Sequence, residues 1–81
     1  MWENSTKELI GIIENALDVE ENSLTIDSTS DDLEEWDSLG HLGILVTLDE
    51  CFHGKIAGIE EMATASSVKK ILQILNDHSL V

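Results

Sequence analysis

Leu33-Glu34-Glu35-Trp36-Asp37-Ser38-Leu39-Gly40-His41-Leu42-Gly43-Ile44-Leu45-Val46-Thr47-Leu48-Asp49-Glu50-Cys51-Phe52 is the stretch on which the fold turns. Asp37 is a good N-cap, and the apolar residues behind it recur at helical spacing. His53-Gly54 is a good stop. The spacing predicts a helix from Asp37 or Ser38 to about Phe52, roughly 22 Å long at 1.5 Å per residue. On a helical wheel with Ser38 at the origin, Ile44, Leu45, Leu48 and Phe52 cluster between about 240° and 340°. Leu39, Leu42 and Val46 cluster nearly opposite, between about 40° and 100°, and Asp49 and Glu50 share their side. One apolar set must pack on the other helices. The second faces either more of the chain, as in a central helix buried on most sides, or a partner. An apolar strip rimmed by carboxylates has the form of a docking surface. Gly40 and Gly43 lie on or beside that side, and each costs about 1 kcal/mol relative to Ala inside a helix. They are either tolerated or present so that another backbone can approach.

Upstream, Ser5-Thr6-Lys7-Glu8 has capping-box spacing with Ser5 as N-cap. Leu9, Ile13, Ala16 and Leu17 then form one stripe, so a first amphipathic helix is expected over 6–17. From Asp18 to Trp36 the periodicity fades into turn formers. Leu24, Ile26 and Leu33 are expected to tack this long loop to the core, with Trp36 as a further anchor. Downstream, Gly58–Ala63 suggests a short third helix. Ser66 or Ser67 caps a last helix over 68–77, with the stripe Val68, Ile71, Leu72 and Leu75. No strand-like alternation appears. The expected fold is one all-α domain over residues 1–81. It is a small four-helix bundle of three main helices and one short helix, with a long loop between the first and second.

The chain has 81 residues, 17 Asp+Glu against 4 Lys+Arg, and a net charge of −13. A single Cys excludes an internal disulfide, so the core must form unaided. The charge argues against nucleic acid and against an anionic membrane surface. No apolar run approaches the roughly 20 residues of a membrane span. The N-terminus lacks the basic and apolar regions of a secretory signal, so a cytoplasmic location is expected. Residues 8–54 contain no Lys or Arg, while residues 18–37 hold nine acids. That field either is a solvated loop or attracts basic partners.

Ser38 is the residue to examine, because a helix N-terminus offers free N–H groups and partial positive charge to a phosphate attached there. Ser38 and His41, three apart, invite a nucleophile–base reading, but no oxyanion hole or third group is evident and no enzyme is expected. His41 is expected near the core edge. Asp27-x-Thr29-x-Asp31 fails as a calcium loop, with Asp32 in place of Gly and Ser38 in place of Glu. Asn4-Ser5-Thr6 is a sequon without secretory context, Cys51 reads as inert, His78 complements the dipole of the last helix, and Trp2 reads as frayed.

Leu33–Leu42 resembles the prosthetic-group attachment region of acyl carrier proteins, whose signature is Asp-Ser-Leu at the start of the second helix. Here that is Asp37-Ser38-Leu39, followed by Leu42, Leu45 and Val46. The resemblance extends over nearly the whole chain, through Glu50-Cys51-Phe52, Lys55-Ile56 and the short third helix. It implies 4′-phosphopantetheine, donated by coenzyme A, esterified to Ser38 between Asp37 and Leu39, with acyl groups carried as thioesters on its thiol. It places partner recognition on Leu39, Leu42, Val46, Asp49 and Glu50. The implied partners are a phosphopantetheinyl transferase and acyl-loading, acyl-transfer or condensing enzymes with basic docking surfaces, met by a monomeric carrier that is not itself an enzyme. Gly40 and Gly43 replace acids common in the fatty-acid type, the usual proline after the second helix is absent, and the third-helix region is about one residue longer. These departures point to a specialised member. The alternative is a carrier-like fold acting only as a protein interaction module.

Overall fold

A computed structural model describes residues 5–81, Ser5 by its backbone alone. Three α-helices form: α1 (Ser5–Leu17), α2 (Ser38–Cys51) and α3 (Val68–Asp77). Two 3-10 helices lie between them, at Ser30–Asp32 and Glu60–Thr64. The described residues contain no β-strand, only an isolated antiparallel bridge between Thr29 and Ser67. The protein is therefore all-α. The helix begins at Ser5, so Ser5 is not the N-cap expected of it. The capping box drawn on its side chain and the frayed Trp2 lie outside the described residues.

The helix starts follow from side chains that replace missing backbone partners. Asp37 accepts a hydrogen bond from the Gly40 N–H at 2.8 Å and Ser67 from the Lys70 N–H at 3.0 Å. The helix ends share one device. Asp18, His53 and Ser79 take left-handed φ values of 56°, 56° and 59°. The next N–H then reaches back five residues: Val19 to the Glu14 carbonyl, Gly54 to Asp49 and Leu80 to Leu75. This satisfies carbonyls that the helix leaves unpaired.

The core is built from Leu9 and Ile13 of α1, Ile44 and Leu48 of α2, and Val68, Ile71, Ile74 and Leu75 of α3, each at most 1% exposed. In α3, Ile74 is buried and Leu72 only half-buried, so the buried stripe differs by one residue from the one expected. Between α2 and α3, Ile56, Ile59, Met62 and Ala65 are all buried. Each of the last three donates its N–H to the carbonyl three residues back. The short helix expected at Gly58–Ala63 is thus a 3-10 helix, displaced to Glu60–Thr64.

Hydrogen bonds hold residues 18–37 to the helices. The Glu14 carboxylate, on a side chain buried in α1, accepts the Leu24 N–H at 3.0 Å. Near the far end, the Ser30 N–H donates to the Ser66 carbonyl at 2.7 Å and the Val68 N–H to the Ser28 carbonyl at 3.1 Å. Leu24 and Trp36 are buried, and Ile26 and Leu33 half-buried. No helix among the described residues is long and apolar enough to cross a membrane.

Candidate functional site: the start and outer face of the second helix

Ser38 is exposed in the first turn of α2. Asp37 engages the Gly40 N–H, and the His41 N–H bonds the Asp37 carbonyl at 2.8 Å. The Ser38 and Leu39 N–H groups remain at the helix mouth without intrahelical partners. The hydroxyl borders a concavity of about 430 Å³, whose walls include Trp36, His41, Ser30, Thr64 and Ser66. A singly attached phosphate fits this place: an accessible hydroxyl, two unengaged N–H groups and space beside them.

The turn preceding Ser38 packs tightly onto the helix. A Cβ on Gly40 would collide with the Glu35 carbonyl oxygen and approach Leu17 Cδ2 to 2.9 Å. Gly43 faces α1, where a Cβ would sit 3.5 Å from the Ala16 carbonyl oxygen. Both glycines therefore meet backbone of this chain.

Trp36 and His41 are joined directly. The indole Nε1–H donates to His41 Nδ1 at 3.0 Å, and His41 Nε2 lies 2.7 Å from the Met62 carbonyl oxygen. An indole N–H only donates and a carbonyl only accepts, so the ring is neutral with its hydrogen on Nε2. Neither nitrogen is free to take a proton from Ser38, which removes the nucleophile–base pairing. His78 Nε2 lies 3.8 Å from a Glu61 carboxylate oxygen, so this side chain meets the Glu60–Thr64 helix.

Comparison with protein-family models, with curated proteins and with solved structures returns no match.

The outer face of α2 separates from the core as the wheel expects. Leu39, Leu42 and Val46 are 79%, 57% and 51% exposed, while Ile44 and Leu48 on the other side are fully buried. Beside them a groove of about 480 Å³ runs between α2 and the Glu60–Thr64 helix, floored by Leu45, Ile56, Ile59 and Met62. Glu50 is exposed at its rim. Asp49 lines the same groove and is half-buried. Its Oδ1 accepts the Ile56 and Ala57 N–H groups at 3.1 and 3.0 Å. The chain reverses at Phe52–Gly54 and lays those N–H groups over the last turn of α2, so Asp49 holds the fold. All nine acids of residues 18–37 are exposed, so the field before Ser38 faces solvent.

Proposed function

We propose that the chain is an acyl carrier protein, bearing 4′-phosphopantetheine from coenzyme A on Ser38. The carrying observation is an exposed serine at the mouth of α2, directly followed by an apolar strip that the core leaves uncovered. On this reading the molecule is a four-helix carrier. The Glu60–Thr64 3-10 helix stands for the short helix, and residues 18–37 form the long loop before the attachment site. The terminal thiol of the group, when bound, holds acyl cargo as thioesters. Asp37 and Leu39 flank the attachment point. Asp37 fixes the first turn by capping Gly40, and the helix mouth favours the phosphate charge.

Leu39, Leu42 and Val46 then dock partner enzymes: the phosphopantetheinyl transferase, loading enzymes and acyl-transfer or condensing enzymes of fatty-acid, polyketide or related pathways. Exposed acids around them, Glu50 included, draw basic surfaces and speed encounter. The carrier is monomeric, cytoplasmic and non-catalytic. It works by raising the concentration of its cargo at each docked enzyme.

Intact mass after incubation with a phosphopantetheinyl transferase and coenzyme A tests this. One phosphopantetheine should add to the native chain and none to Ser38→Ala of unchanged helicity. A native chain that stays unmodified while still binding partners through α2 is an interaction module instead.

A further inference from the structure

Three elements meet at one imidazole. Trp36 lies near the end of residues 18–37, His41 belongs to the first turn of α2, and Met62 lies in the Glu60–Thr64 helix. The two ring planes are 16° apart with centroids 6.2 Å apart, so the N–H···N bond runs close to both planes. Trp36 is 4% exposed and Met62 1%. A buried indole N–H without an acceptor is costly, so loss of His41 alone would leave the Trp36 donor unpaired. Trp36 is two residues from Ser38, and Met62 floors the groove beside Leu42 and Val46. The bond chain therefore spans both concavities at the candidate site.

We propose that the Trp36–His41–Met62 relay is a clasp that sets the position of the Glu60–Thr64 helix against α2, and that neutral, Nε2-protonated His41 is its positioning residue. His41 touches no reacting atom. It holds one wall of the Ser38 concavity and one wall of the apolar groove in register. The consequence for Ser38 modification rests on the carrier reading, whereas the clasp itself does not.

The test begins with nitrogen-15 spectra of the native protein at neutral pH. His41 should carry its hydrogen on Nε2 alone. Trp36→Phe keeps an apolar ring and removes the donor. In that variant the hydrogen should stay on Nε2, held by the Met62 carbonyl, while the Nδ1 resonance loses its hydrogen-bond shift, and amide exchange over residues 62–65 should rise about five- to tenfold, the factor expected for one lost buried hydrogen bond. The transferase KM should rise with kcat kept, which a general loss of folded protein would not produce. Hydrogen on Nδ1, averaging in the native protein, or a Trp36→Phe variant with unchanged exchange and KM would overturn the clasp. A native chain with the His41 signature that never accepts phosphopantetheine supports the clasp and defeats the carrier reading.

Discussion

Gly40 and Gly43 look alike on paper and should behave oppositely. Helix propensity favours Ala at both by about 1 kcal/mol. At Gly40 the added Cβ meets the Glu35 carbonyl and Leu17, so Gly40→Ala should destabilise by about 1–3 kcal/mol despite that gain. At Gly43 the nearest atom sits at ordinary contact distance, so Gly43→Ala should be neutral or stabilising by up to about 1 kcal/mol. Urea denaturation of the two variants checks both signs. Asp49 and Glu50 form a second contrasting pair. Asp49→Ala strips the acceptor from two N–H groups and should cost about 1–3 kcal/mol. Glu50→Lys should leave stability within about 0.5 kcal/mol, since Glu50 is exposed and away from such features. It should instead slow association with a basic partner and flatten its salt dependence, read by stopped-flow mixing.

At the scale of the element, α2 is a helix with two apolar faces and one core. Leu48 is fully buried, so Leu48→Ala should cost about 2–5 kcal/mol through the cavity it leaves. Leu42→Ala and Val46→Ala remove exposed atoms and should each cost well under about 1 kcal/mol. Both should slow loading or transfer by a docked enzyme, because an interface anchor is lost. Equal destabilisation by all three in chemical denaturation would mean that the outer face is covered, and the docking surface must then lie elsewhere. The helix ends carry their own prediction. His53 sits at φ 56° with a Cβ that this region disfavours by about 1–2 kcal/mol. Glycine there removes that strain and adds about 0.5–1 kcal/mol of chain entropy to lose. His53→Gly should therefore stabilise by a few tenths to about 1 kcal/mol, seen as a raised denaturation midpoint.

For the whole molecule, charge opposes the fold. Nine exposed acids of residues 18–37 crowd a segment pinned to α1 at Leu24 and to the start of α3 near Ser30. Neighbouring acids such as Glu20-Glu21 repel in any state, but the pins hold acids distant in sequence nearer than in the unfolded chain, so part of the repulsion opposes the fold. Salt screens it over about 10 Å at 0.1 M. Raising salt or adding millimolar divalent cation should increase the melting temperature, and each ~1 kcal/mol of relieved repulsion is worth about 4–8 °C in a domain of this size. A melting temperature indifferent to both would show that the field is dispersed enough to be harmless. The same asymmetry would orient encounter with a basic surface on the proposed carrier reading, because residues 8–54 hold Ser38 and the exposed strip Leu39, Leu42 and Val46 and contain no Lys or Arg.

Periodicity by itself determined the three α-helices, since caps and apolar spacing are local. Asp37 and Ser67 were legible as caps because a carboxylate or hydroxyl before an apolar-periodic run has few other uses. The division of α2 into a buried and an exposed face was legible too, for the wheel needs only 100° per residue. The short helix was legible at Gly58–Ala63, but its 3-10 form was not read from the period of three in Ile56, Ile59, Met62 and Ala65, of which only Met62 lies inside it. Partners distant in the chain were not legible. Asp49 read as a surface acid because nothing local says that the chain folds back over it. Glu14 is buried on the Leu24 N–H, ten residues away, and nothing local marks it for that place. The two glycines could not be told apart until the Glu35 carbonyl and the Ala16 carbonyl were placed beside them. His41 showed its type but not its tautomer, which Trp36 and a carbonyl 21 residues away decide. Local hydrogen bonds and spacing are written in neighbouring residues. Close approach and buried polar pairing depend on which segments the core brings together, and only the tertiary structure makes that choice.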